Sequence, residues 1–119
     1  MDIEQLRNYC LSKKGVTESL PFDQDTLVFK VLDKMFALTD LAEERLRVNL
    51  KCDPAYAMEL REQYPDAVRP GYHMNKKHWN TVYFDSGLPD DFLLGLIDHS
   101  YDCVVKKMKK ADRKALGRS

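Results

Sequence analysis

The sequence predicts an α+β fold, a two-layer sandwich in which an antiparallel sheet carries helices packed on one face. Residues 45–51, Arg45-Leu46-Arg47-Val48-Asn49-Leu50-Lys51, alternate strictly between polar and apolar, as a strand with one buried and one wet face requires. Two β-rich runs, 27–32 and 35–39, are separated only by Asp33-Lys34, and so short a connection implies an antiparallel hairpin. The strands are grouped between helical segments instead of alternating with them one by one, which argues against a parallel βαβ sheet.

Asp2 with Gln5 three residues on is a capping pair, and Ile3, Leu6 and Cys10 recur at helical spacing, so residues 2–13 read as an amphipathic helix ended by Gly15. Residues 17–25 read as turns, followed by the hairpin. In the alternating strand, Leu46, Val48 and Leu50 form the face to be buried, while Lys30 is expected to share the open face with Arg45, Arg47 and Lys51. Asp53-Pro54 supplies an N-cap and a proline at the first helical position. Ala57, Leu60 and Tyr64 mark the apolar stripe of that second helix, closed by Pro65. Residues 79–84 read as a further strand. Pro89 with Asp90 and Asp91 opens a third helix, whose buried stripe falls at Leu93, Leu96, Ile97, Ser100 and Val104.

At 119 residues the chain suits one domain with a single core, spanning 1–119, with 106–119 as a basic tail that is expected to fray. Nineteen basic residues balance nineteen acidic ones, so no global field draws the protein onto nucleic acid or an anionic membrane. The charge is nevertheless segregated. Residues 106–118 hold seven basic side chains against the single Asp112, whereas 79–105 hold five acids and no Lys or Arg. The first residues lack a basic region followed by an apolar run, and no segment approaches the ~20 apolar residues of a membrane span, so a cytoplasmic location without membrane partners is expected. Cys10, Cys52 and Cys103 are odd in number and widely spaced, which fits reduced core residues and neither a disulfide framework nor a zinc knuckle.

Residues 69–82, Arg69-Pro70-Gly71-Tyr72-His73-Met74-Asn75-Lys76-Lys77-His78-Trp79-Asn80-Thr81-Val82, concentrate the only tryptophan, two of three histidines and a dibasic pair. As a nucleic-acid element, Arg69, Lys76 and Lys77 would neutralise phosphates, Tyr72 and Trp79 would offer stacking faces, and Asn75 and Asn80 paired donors and acceptors. Arg45, Arg47 and Lys51 on the open sheet face would add a second patch. As a structural element, Pro70-Gly71 is a turn, the aromatic rings pack, and the lysines are a solvated loop tip. His73 and His78 invite a metal or general-base reading, but a third ligand would have to come from a distant segment, with His99 one choice. No serine or cysteine stands in a nucleophile context and no glycine-rich phosphate loop occurs, so neither an enzyme nor a cofactor is expected.

The same segments resemble the MmcQ/YjbR family of small bacterial proteins along nearly the whole chain. Phe29-Lys30-Val31 with Lys34-Met35-Phe36-Ala37-Leu38 is similar to that family's first hairpin, Leu50-Lys51-Cys52 with Asp53-Pro54 to its strand-to-helix junction, residues 69–82 to its most specific signature, and 96–101 to its last helix. The resemblance implies a CyaY/frataxin-like sandwich and DNA binding by a double wing of projecting hairpins. An iron-handling role is not expected, because the first helix, with Asp2, Glu4, Arg7, Lys13 and Lys14, has no acidic ridge. The resulting expectation is a small binding module making weak, salt-dependent contact with double-stranded DNA. The alternative is a protein-interaction module using the open sheet face and the Trp79 loop.

Overall fold

The computed structural model describes residues 1–118. Four helices and six strands follow in the order α1 (Ile3–Ser12), β1 (Val16–Ser19), β2 (Thr26–Val31), β3 (Lys34–Asp40), β4 (Arg47–Lys51), α2 (Pro54–Gln63), β5 (Val68–Pro70), β6 (Trp79–Tyr83), α3 (Asp90–Val105) and α4 (Lys110–Ala115). The strands form one antiparallel sheet of order β1-β2-β3-β4-β6-β5, with β6 inserted between β4 and β5.

Local sequence explains most of these elements. The Asp2 carboxylate accepts from the Gln5 amide at 2.8 Å and the Gln5 side chain accepts from the Asp2 amide at 2.9 Å, a reciprocal cap that starts α1. Asp53 caps α2 in front of Pro54. On α3, Leu93, Leu96, Ile97, Ser100 and Val104 are all buried, as the helical stripe predicts. These side chains, with Leu6 and Cys10 of α1 and Ala57 and Leu60 of α2, cover one sheet face made by Leu27, Phe29, Val31, Val48, Leu50, Val68 and Val82. Leu46, expected in the buried face, is only partly covered and lies just outside β4.

Four features depart from the sequence expectation. Residues 16–19, largely expected as turn, form the edge strand β1, held by Arg7 of α1, which donates to both Glu18 carboxylate oxygens. Residues 68–70, inside the expected irregular loop, form the opposite edge β5. The β2–β3 turn sits at Leu32-Asp33 instead of Asp33-Lys34, since Val31 pairs with Lys34, and Leu32 takes φ 49°, a left-handed conformation that bulky residues seldom adopt. The basic tail carries a further helix among the described residues. It turns at Lys106-Lys107 and forms α4, with Met108 and Leu116 buried and Arg118 paired to Asp102 at 3.0 Å. Leu116 lies over Gly15 so closely that a Cβ there would stand 2.6 Å from its Cδ2, and Gly15 at φ 76° also needs the freedom of glycine.

One irregularity shapes the rest. Phe29 pairs with Ala37 but Lys30 with Met35, so Phe36 is an extra residue in β3, a bulge. The ladder with β4 ends at Ala37 opposite Leu50, which leaves the Phe36 carbonyl and the Lys51 amide without strand partners. Ser100 of α3 takes both: its fully buried hydroxyl donates to the Phe36 carbonyl and accepts from the Lys51 amide at 2.8 Å.

Candidate functional site: a lysine-rimmed cleft at one end of the sheet

The loop between β5 and β6 is held from three directions. Arg61 of α2 donates to the Asn80 side-chain oxygen at 2.7 Å, to the Trp79 carbonyl at 3.2 Å and to the Lys76 carbonyl. Thr81 accepts from the Tyr72 amide at 2.9 Å and donates to the Asn49 side chain, which in turn donates to the Tyr72 carbonyl at 3.2 Å. Gly71 donates to the Trp79 carbonyl at 2.9 Å, and a Cβ on it would meet the Trp79 Cβ at 2.8 Å. Trp79 is buried against Val28, Leu38, Met35 and Met74. The face expected to be open therefore carries a second, small core beneath the loop.

This placement sorts the residues singled out from sequence. Asn80 is 1% exposed on the helix-covered face, opposite Leu50, so its carboxamide cannot meet a surface ligand as expected. Asn75 accepts from the Lys77 amide at 2.9 Å, and Lys76 donates its ammonium to the Gly71 carbonyl at 3.1 Å, so both serve the loop itself. Arg45 grips Asp85 and lies over the Tyr83 ring, while Arg47 pairs with Glu43 at 3.0 Å and lies over Tyr72. Arg69 is exposed on the edge strand, opposite Thr81. His73, at φ 59° and 4.1 Å from the Tyr72 ring, lines a cleft of about 310 Å³ with Phe22, Met35, Leu38 and Arg47. His78 lines a different groove, with Asp53, Lys106 and Lys107. The two histidines thus face separate clefts. His99 is spoken for, accepting from the Asp53 amide at 3.1 Å and packed edge-on to Tyr56. Among the described residues no three His, Cys, Asp or Glu side chains converge at metal-binding distances. The three cysteines are buried and unpaired, and burial pushes the Cys10 and Cys52 thiols up to about 12.

What the fold does bring together is lysine. Lys34 at the start of β3, Lys51 at the end of β4 and Lys107 after α3 rim a cleft of about 460 Å³, floored by Met35, Trp79, Val104 and Met108. The half-buried Lys51 lies over the Trp79 ring, 5.7 Å from its centroid. Burial first, then the neighbouring charges of Lys107 and Lys34, lower its pKa. Lys106 and Lys107 continue into the adjoining groove beside His78. Desolvation and the charges of Lys107, Lys77 and Lys51 lower the pKa of that imidazole. None of these five lysines forms an ion pair among the described residues. Sequence reasoning found Lys51, Lys77 and the tail separately but not Lys34. The one signal available was its place beside a hairpin turn, at the sheet end where β4 finishes and β6 begins.

The fold and site define a single-domain α+β protein with an open six-stranded antiparallel sheet, helices on one side, and a basic cleft at one sheet end. The chain belongs to the YjbR family, whose characteristic sequence it matches over residues 11–103. It is 41% identical over 116 residues to the uncharacterised protein YjbR of Escherichia coli K12, covering 98% of each chain. It is 38% identical to the uncharacterised protein YbdF of Escherichia coli O157:H7 over 79% of this chain and 76% of that one. Among solved structures, the Deinococcus radiodurans protein DR2400 superposes with a TM-score of 0.91 at 46% identity, covering 98% of this chain and 88% of that one. A Pseudomonas syringae protein superposes with a TM-score of 0.74 at 26% identity, covering 87% of this chain and 98% of that one.

Proposed function

We propose that this protein is a non-enzymatic, cytoplasmic binding module whose ligand is a polyanion, with double-stranded DNA first. The observation that carries this reading is the convergence of Lys34, Lys51, Lys77, Lys106 and Lys107, from four parts of the chain, at one end of the sheet, none of them in an ion pair among the described residues. A chain of zero net charge that concentrates unpaired ammonium groups in one place leaves them for a ligand to neutralise. On this reading the β2–β3 turn beside Lys34 and the loop carrying Lys77 are the wings that straddle a duplex. Contacts to phosphate account for weak affinity without base readout.

A second reading rests on Phe22 and Tyr72, 64% and 53% exposed, which wall the neighbouring cleft on the open sheet face and suit an apolar protein partner. Titration with a duplex at two ionic strengths separates the two. Phosphate neutralisation gives a log–log slope of roughly 0.9 per phosphate, whereas an apolar interface depends little on salt. Absence of duplex binding at low salt removes DNA from the reading.

A further inference from the structure

We infer that the lysine-rimmed cleft is a pocket for one nucleoside phosphate unit, the phosphate groups lying on Lys34, Lys51 and Lys107 and the base on the apolar floor. This rests on the polyanion reading and goes beyond it, from a charged surface to a shaped site.

A surface that only attracts a phosphate backbone needs cations on a convex or flat face. Here the cations stand around a concavity of about 460 Å³, within the range of small-ligand sites and too small for stacked base pairs. Its floor is Met35, Trp79, Val104 and Met108, which no phosphate can use and a heterocyclic base can. The thioethers of Met35 and Met108 are polarisable and adapt to a flat ring. Lys51 is held at the junction: its side chain lines the cleft, its ammonium lies over Trp79, and its backbone amide is fixed by Ser100. An anion between Lys34, Lys51 and Lys107 removes the repulsion among the three ammonium groups, a gain that a single lysine would not offer.

The same chemistry belongs to a free nucleotide and to the terminal nucleotide of a single strand. The only tryptophan lines the site, so its emission reports occupancy. ADP, inorganic pyrophosphate, and a single-stranded oligonucleotide with and without a 5′-phosphate are titrated against the full chain, with a duplex in parallel. The expected result is saturable quenching by ADP, roughly tenfold tighter than by pyrophosphate because the floor contributes, and at least tenfold weakening in Lys51→Gln. Lys107→Gln, at an exposed position, gives a second variant whose folding is not in question. A phosphate-dependent gain for the oligonucleotide without ADP binding assigns the strand terminus as the source, and ADP binding assigns the free nucleotide. Equal affinity for ADP and pyrophosphate, or duplex binding with no response to ADP or to the 5′-phosphate, overturns the pocket and leaves the DNA reading standing. ADP binding without duplex binding does the reverse.

Discussion

The two ends of the sheet carry opposite charge and treat it differently. At one end Asp2, Asp40, Glu43, Glu44 and Arg45 crowd together, and nearly all have partners: Asp85 holds Arg45, Glu43 holds Arg47, the Met1 ammonium approaches Asp90 at 3.7 Å, and Asp2 and Asp40 accept from backbone amides. At the other end five lysines gather around His78 with Asp53 as the one carboxylate lining the groove, and none of the lysines forms an ion pair among the described residues. The first end stays acidic but most of its carboxylates are engaged within the molecule, while the second crowds unpaired ammonium groups whose mutual repulsion a bound anion would relieve. Net charge, being zero, hides the difference.

The largest effect that would break this comparison is removal of the lysine rim. Replacing Lys34, Lys51 and Lys107 together with Gln is expected to weaken duplex binding at low salt by roughly a hundredfold. It should also flatten the salt dependence by about 0.9 for each phosphate no longer neutralised, as measured by anisotropy at several ionic strengths. Next is Ser100→Ala, which strands the Phe36 carbonyl and the Lys51 amide in the core. We expect a loss of about 1–3 kcal/mol in urea unfolding, against under ~1 kcal/mol for Ser86→Ala at the acidic end, where the hydroxyl serves only the half-exposed Tyr83 carbonyl.

Smaller again is Arg45→Gln. The Arg45–Asp85 pair is about half exposed on both sides, so its loss should cost little stability and leave polyanion affinity unchanged. Arg45 holds the Asp85 carboxyl below its usual range, so the pair's contribution is present above the unfolded aspartate pKa and fades as pH falls through the depressed one; unfolding curves at several acidic pH values should show that loss in the parent and not in the variant. The smallest effect belongs to His78. Desolvation and the neighbouring lysines lower its pKa and a bound polyanion favours its protonation, so affinity should rise severalfold as pH falls below neutral. His78→Asn should remove that rise, and an unchanged pH profile would take His78 out of the site.

The helices were legible because their signals are local. Asp2 with Gln5, Asp53 with Pro54, and the stripe from Leu93 to Val104 each state an end or a face within a few residues. β1 was not, because Val16-Thr17-Glu18-Ser19 is a four-residue edge whose identity depends on pairing with β2 and on Arg7, both outside the segment. β5 is shorter still, and Val68, Arg69 and Pro70 declare nothing until β6 lies beside them. The 69–82 stretch drew attention by composition, yet much of that composition holds the loop: Gly71 for close approach, Asn75 for the turn, Asn80 for Arg61 and Thr81 for Tyr72. The lysine cleft as an assembly was not legible, since positions 34, 51 and 107 become neighbours only where the sheet ends and α3 turns into α4.

The extra residue at Phe36 has a genetic reading. Met35 and Leu38 are three apart, an odd separation that a regular strand would send to opposite faces, yet both meet Val28 and Trp79 on the same one because Phe36 and Ala37 both face the helices. Loss of the Phe36 codon would restore simple alternation, join the Phe29–Ala37 and Lys30–Met35 pairs into one unbroken register, and delete the ring that packs edge-on to Tyr101. Met35 would keep the face of Leu38, now two residues away, while the core would be left with a cavity where the fully buried Phe36 ring stood. At this point in the gene a one-codon deletion is a more drastic event than most substitutions, and lineages should keep the length of β3 even where they change its side chains.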